Sequence, residues 1–228
     1  MTALTVAVDG SAGSGKSSVS RGVAAELGMR YLDTGAMYRA ATLWMLRAGI
    51  DVEDAAAVAG RAGDPVIEST TDPAAPAIAL DGQDVSTEIR TPDVTGAVSA
   101  VSAVPQVRTR MVQMQREAVA VSIASGEGII VEGRDIGTVV LPEADLKVFL
   151  VADPQVRAQR RAAEDAARGH GVEVAATAQD LARRDAADSQ RKASPLAKAD
   201  DAVVVDATYD DLATVIGRVK ALVVDAGR

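Results

Sequence analysis

Apolar residues fall into short runs separated by longer amphipathic stretches. A run at 4–8 is followed by helix-like spacing over 16–27, an apolar pair at Tyr31-Leu32, and helix-like spacing over 35–48 closed by Gly49. This is a βαβα opening. Three later runs, at 128–131, 146–151 and 202–205, are nearly continuous in Val, Ile, Leu and Phe, and each precedes a turn signal and a helical pattern. Buried strands of this kind predict a mainly parallel sheet covered on both faces.

Residues 64–92 break the rhythm with Pro65, Pro73, Pro76 and Pro92. Two β-like runs there, 66–71 and 77–80, and the turn pair Asp81-Gly82 predict a small β insert. Helical spacing returns over 95–125, with Pro105 placed to open a second helix at its first turn. Residues 155–192 read as two helices broken near Gly169-His170-Gly171, a mobile turn and a candidate lid. No internal repeat is visible.

With 228 residues, 48% hydrophobic and 25% charged, the chain fits one globular domain or a domain with an insert, not a disordered or collagenous protein. Its five aromatics (Tyr31, Tyr38, Trp44, Phe149, Tyr209) leave the core to Val, Ala, Leu and Ile and make base-stacking surfaces scarce; Trp44 and Met45 are read as core. The absence of cysteine and the single histidine exclude disulfides, thiolate chemistry and Cys/His zinc sites, and leave a Ser-His triad only to His170. His170 lies in Arg168-Gly-His-Gly171 and reads as a solvated loop-tip residue. No basic leader precedes a long apolar run, and no stretch approaches the ~18 apolar residues of a membrane span, so the expectation is a cytoplasmic protein without a membrane partner. A net charge of -8 argues against nucleic acid as a partner, so an anionic ligand must be drawn in by local cations. Only five of the 24 basic residues are lysine; the rest are arginines, whose planar forks match phosphate oxygens in pairs.

Gly10-Ser-Ala-Gly-Ser-Gly-Lys-Ser17 fits G-x-x-x-x-G-K-[ST] and sits between the first strand and the first helix. The glycines let backbone N–H groups turn inward around phosphate, the helix N-terminus adds partial positive charge, Lys16 reaches the outer phosphates, and the Ser17 hydroxyl can ligate Mg²⁺. The chain is therefore expected to bind a nucleoside triphosphate through Gly10, Ser11, Ala12, Gly13, Ser14, Gly15, Lys16, Ser17 and Ser18. The loop alone leaves kinase, GTPase, motor and switch open. No Asn-Lys-x-Asp guanine-reading motif is present. The apolar run ending in Glu132 partly meets the pattern of a motor ATPase, but Gly133-Arg134-Asp135 follows at once. A guanidinium at a strand end that already faces Lys16 points to a second anion, hence two phosphorylated substrates.

Several stretches together resemble the bacterial cytidylate kinases: Asp9-Gly10 through Ser18, Leu32-Asp-Thr-Gly-Ala-Met-Tyr-Arg39, Ile89-Arg-Thr-Pro92, Val131-Glu-Gly-Arg-Asp-Ile-Gly-Thr-Val-Val140 and Arg184 through Arg191. The similarity runs in order over nearly the whole chain. It implies an α/β fold: a five-stranded parallel sheet with helices on both faces, a small β-containing monophosphate-binding insert and a short helical lid. The division it suggests is a core of 1–63, 126–156 and 193–228, an insert at about 64–125 and a lid at about 157–192, in a single monomeric unit.

The resemblance further implies transfer of the γ-phosphoryl of ATP to CMP or dCMP with Mg²⁺. It gives the CMP phosphate to Arg39, Arg134 and Arg191, with Thr34 and Tyr38 along the same wall, the cytosine edge to Ser99, Arg108 and Asp135, and the ribose to Arg184 and Asp188. Catalysis would fall to Lys16, Arg134 and Asp135 with Arg157, Arg160 and Arg161; Mg²⁺ would fall to Ser17 and, through water, Asp33 and Glu132. Thr34 stands where the family often has serine and keeps the hydroxyl; Glu132 stands where aspartate is frequent and lengthens the carboxylate. Two readings of Arg157, Arg160 and Arg161 stay open: a lid over the ATP phosphates, or a solvated face pairing with Glu164 and Asp165. Rival functions are a kinase for another small acceptor (UMP, AMP or shikimate) and a nucleotide-gated binding module.

Overall fold

The computed structural model describes residues 3–167, 169–191 and 193–228. Arg168, at the expected loop tip, and Lys192, at the end of the expected lid, lie outside the described residues. In chain order the elements are β1 (Thr5–Gly10), α1 (Lys16–Leu27), β2 (Arg30–Asp33), α2 (Thr34–Arg47), α3 (Ala55–Gly60), β3 (Ile67–Ser69), β4 (Ile78–Leu80), β5 (Gln83–Asp84), a 3₁₀ turn (Glu88–Arg90), α4 (Pro92–Ala103), α5 (Pro105–Ala124), β6 (Ile129–Gly133), a π-helical turn (Ile136–Val140), β7 (Leu146–Val151), α6 (Pro154–Ala167), α7 (Val174–Gln190), β8 (Val203–Asp206) and α8 (Leu212–Ala226).

The main sheet runs β2-β6-β1-β7-β8 and every pairing in it is parallel. Each strand's alternating side chains feed two cores. On one face Leu32, Val131 and Ile129 pack with α2, α4 and α5 residues such as Met45, Val101 and Met111. On the other, Val6, Val8 and Ile130 meet Val19 and Val23 of α1 and Val215 and Val219 of α8. The expected insert appears as a three-stranded antiparallel sheet, β3-β4-β5, whose Ile67, Ile78 and Leu80 join the first core. Pro92 and Pro105 each open a helix in the first turn, where the missing N–H costs nothing.

One strand departs from expectation. The apolar run at 202–205 predicts a buried strand, but Val203 is 39% and Val204 50% exposed. β8 is an edge strand paired only to β7, so its apolar composition serves β propensity and one buried contact, Val205, rather than two covered faces. No helix among the described residues is long and apolar enough to cross a membrane.

Candidate active site

The carboxyl ends of β2, β6 and β1 are neighbours and deliver Asp33, Gly133 and Gly10 to one crevice edge, where an open α/β sheet binds its ligand. The phosphate loop leaves β1 at Gly10, whose φ of +151° and close approach to the Leu150 carbonyl (a Cβ would lie 2.2 Å away) exclude any side chain. Lys16 is buried and folds back to donate to the Ser11 carbonyl at 2.7 Å; the Ser14 hydroxyl donates to the same oxygen at 3.0 Å. Burial, then the nearby Arg134, push the Lys16 ammonium down to about 7, against the opposing pull of Glu132 and Asp9.

Guanidinium groups gather opposite that loop. Arg39 is buried and donates to the Ile89 carbonyl at 3.1 Å and to Thr95 Oγ1 at 2.9 Å. Burial first, and then the repulsion of Arg184, Arg161 and Arg90, lower its pKa to about 9. Burial and Arg134 likewise depress Arg184, and burial depresses Arg191. So many like charges held together in a desolvated place are the signature of an anion site. Arg134 is aimed by Asp188, which accepts from its Nε at 3.1 Å, and Arg191 reaches the same carboxylate at 3.8 Å.

At the far end Arg108 donates to Asp135 and, at 3.2 Å, to the Ser102 carbonyl, with its guanidinium 5.4 Å from the centre of the Tyr38 ring. Ser99 lines the crevice beside them. The loop carrying Arg134 and Asp135 is fixed from below: both oxygens of Asp9 accept backbone N–H bonds, from Ile136 and Gly137, each at 2.8 Å.

Ser17 is exposed at the start of α1, and Glu132 feels its hydroxyl as a hydrogen-bond donor. Burial raises the pKa of Glu132, whose Oε1 accepts the Tyr31 hydroxyl proton. Asp33 caps α2, accepting from the Ala36 N–H at 3.0 Å, and pairs with Arg90 at 3.4 Å. Among the described residues no group of three or more acidic or histidine side chains is placed to hold a metal ion by itself. One hydroxyl with carboxylates behind it suits Mg²⁺, which keeps several waters and takes other ligands from phosphates, rather than a cation needing an all-protein cage.

Of the sequence-predicted residues, the crevice collects Ala12, Gly13, Gly15, Lys16, Ser17, Ser18, Thr34, Tyr38, Arg39, Ser99, Arg108, Arg134, Asp135, Arg161, Arg184, Asp188 and Arg191, with Asp33 and Glu132. Gly10, Ser11 and Ser14 form the back of the phosphate loop and do not line it. The Thr34 hydroxyl is spent on the Glu132 carbonyl at 2.7 Å. The three lid arginines separate. Arg161 lines the crevice and pairs with Asp165 at 3.0 Å, Arg157 is turned onto the Ala12 carbonyl behind the phosphate loop, and Arg160 donates to the Ala207 carbonyl at 2.7 Å, away from the crevice. The sequence does not single out Arg90 and Ser102, which line the crevice, or Asp9 and Asp185, which support its loops from behind. The Ile89-Arg-Thr-Pro92 stretch holds the signal for Arg90, and the stretches Asp9 through Ser18 and Arg184 through Arg191 contain Asp9 and Asp185; nothing local marks Ser102.

Comparison with known proteins identifies the family. Residues 6–224 match the family model described as cytidylate kinase. The cytidylate kinase of Streptomyces coelicolor is 57% identical over 221 residues, covering 97% of this chain and 93% of that protein; that of Streptomyces avermitilis is 56% identical over the same length and shares. Among solved structures, an uncharacterized protein from Eubacterium ventriosum shares the fold, with a TM-score of 0.54 at 11% identity over 97% of this chain and 98% of its own. With its phosphate loop, its arginine wall and its sequence all in agreement, the chain belongs to the cytidylate kinase family.

Proposed function

We propose that the protein transfers the γ-phosphoryl group of ATP to CMP or dCMP, giving ADP and CDP or dCDP. The carrying observation is that Lys16 and the phosphate loop face Arg39, Arg134, Arg184 and Arg191 across one crevice that ends in the Arg108–Asp135 pair. Family membership supports the same reaction. The division into core, insert and lid given above, with a cytoplasmic monomer, belongs to this reading.

Phosphoryl transfer asks for in-line placement and neutralisation of charge spreading over the transferred group. Lys16 and the loop N–H groups hold the donor, and Arg39, Arg134 and Arg191 hold the acceptor phosphate. Arg161 neutralises charge from the lid side. The acceptor is already an anionic oxygen, so no general base is required. Ser17, with Glu132 and Asp33 behind it, would hold Mg²⁺, which when bound would neutralise charge on the ATP phosphates.

Specificity follows from donor and acceptor patterns. Cytosine offers an N4 amino donor with N3 and O2 acceptors. Asp135 gives one oxygen to Arg108 and keeps the other for N4, while Arg108 and the Ser99 hydroxyl face the acceptors. Uracil sets a carbonyl against Asp135, a mismatch of about 1–3 kcal/mol. Arg184 and Asp188 take the ribose.

An acceptor panel with Mg²⁺-ATP tests the reading. CMP and dCMP should show the highest kcat/KM. Equal turnover of UMP would refute the base assignment, and loss of ATP without a phosphorylated acceptor would identify a nucleotide-gated module instead.

A further inference from the structure

Helix α7 carries both residues given above to the ribose, Arg184 and Asp188, and between them Asp185, which serves the opposite site. The Ala12 N–H donates to Asp185 Oδ1 at 3.4 Å, and Arg157 Nη1 donates both to Asp185 Oδ2 and to the Ala12 carbonyl at 3.1 Å. One ion pair thus holds both main-chain polar groups of a phosphate-loop residue. Its side chains are 11% and 18% exposed.

The surrounding packing leaves little slack. A Cβ at Gly13 would come within 2.9 Å of the Arg157 carbonyl, so the backbone of α6 sits directly on the loop. Ala12, Ala158 and Leu181 form a small apolar cluster, with Ala178 against it, separate from the two cores of the sheet. The α6–α7 pair is therefore seated on the tip of the phosphate loop by a polar clamp and an apolar contact together.

We infer that Asp185 couples the two nucleotide sites, as a positioning residue that acts through Arg157 and the main chain of Ala12. The inference rests on the reading that CMP occupies the arginine wall. Arg184, Asp185 and Asp188 lie within four residues of one helix, so a shift of α7 that brings Arg184 and Asp188 onto a ribose carries Asp185 with it. That shift sets the Ala12 amide and carbonyl, and with them the loop that receives the ATP phosphates. Binding at either site then favours the arrangement the other needs, and the effect is equal in both directions.

The test is calorimetric. The affinity of a non-hydrolysable ATP analogue, AMP-PNP with Mg²⁺, is measured with and without saturating CMP, and that of CMP with and without AMP-PNP. In the unmodified protein each ligand should tighten the other by one common factor of at least about 5-fold. Asp185→Ala should bring that factor below about 2-fold while CMP alone binds within about 3-fold of its original affinity. If Asp185→Ala does not fold, Asp185→Asn carries the same measurement, since it keeps an acceptor for the Ala12 N–H and loses the ion pair. Equal coupling factors in the unmodified protein and the variant overturn the inference, as does a fall in both affinities and in thermal stability with the factor unchanged. Independent binding of the two ligands to the unmodified protein overturns it as well. Failure of CMP to bind the unmodified protein at all would defeat the functional reading itself, and it is visible in the first titration, before any variant is made.

Discussion

Arg108 on α5 donates to Asp135 on the loop leaving β6, and both side chains are almost fully shut off from solvent, at 5% and 6% exposure. Burying such a pair is poor value as stabilisation, because desolvation consumes most of the Coulomb gain. Its worth lies in what it presents: a fixed carboxylate oxygen and a fixed guanidinium edge at the end of an anion-binding crevice. Asp135→Ala strands a buried cation, so stability should drop by about 3–5 kcal/mol. The kcat/KM for CMP should fall by about 100-fold or more, while AMP-PNP affinity stays within about 3-fold. Asp135→Asn keeps the shape but can offer an amide N–H to a carbonyl. The ratio of kcat/KM for CMP to that for UMP should therefore fall by about 10-fold or more. Unchanged CMP kinetics in the alanine variant would mean the base lies elsewhere.

Lys16 serves every acceptor alike. Its ammonium rests on the Ser11 carbonyl at 2.7 Å, at the phosphate-loop end of the crevice, while the Arg108–Asp135 pair stands at the other end. Lys16→Ala should cut kcat by about 100- to 1,000-fold with CMP, dCMP and any slower acceptor. A loss confined to one acceptor would contradict its assignment to the donor phosphates. Melting temperature is the control, and should change little or rise, since a buried ammonium is being removed.

Much of this is legible in the sequence. The strands at 128–131 and 146–151, the helices opened by Pro92 and Pro105, and the glycine-rich loop all declare themselves through period, punctuation and local chemistry, which act over a few residues. The exposure of the outer strand β8 is not legible, because apolar composition alone does not distinguish a central strand from an edge one. What stayed hidden in the site is what tertiary contact decides. Asp9 and Asp185 look like ordinary acidic residues until the fold sets one under the 136–140 turn and the other against Ala12, 173 residues away in sequence. Arg157, Arg160 and Arg161 share one short stretch of helix, yet each finds a different partner, which spacing could not foretell.

That separation makes a direct prediction. Arg160 gives its fork to the Ala207 carbonyl beyond β8, whereas Arg161 faces the crevice. Arg160→Ala should cost about 1 kcal/mol of stability, the worth of one hydrogen bond, and leave kcat within about 3-fold. Arg161→Ala should do the reverse, lowering kcat by about 10-fold or more with little change in melting temperature. A kcat loss as large in the Arg160 variant would show that the lid turns Arg160 inward during the reaction.

Asp9 gives the pH dependence a structural origin. It lies near the end of β1, and its two oxygens hold the Ile136 and Gly137 N–H groups at 2.8 Å, fixing the turn behind Arg134 and Asp135. Burial pushes its carboxyl up to about 6, and Asp135 pushes the same way; the two N–H bonds and Lys16 oppose them. Lys147, whose stem packs beside Gly137, gives its ammonium to Asp201 at 2.8 Å. The folded protein thus binds a proton at Asp9 more tightly than the unfolded chain, where the carboxyl returns to 3.8. The contribution to stability is complete below pH 3.8 and is lost as pH rises through about 6. The loss is on the order of 2–3 kcal/mol. Asp9→Asn cannot titrate, so the stability of the unmodified protein minus that of the variant should fall by this amount between pH 4 and pH 7, on urea melts at matched ionic strength. Carboxylates elsewhere titrate in both proteins and cancel in the difference. A flat difference curve would mean that the Asp9 carboxyl keeps its unfolded-chain value on folding.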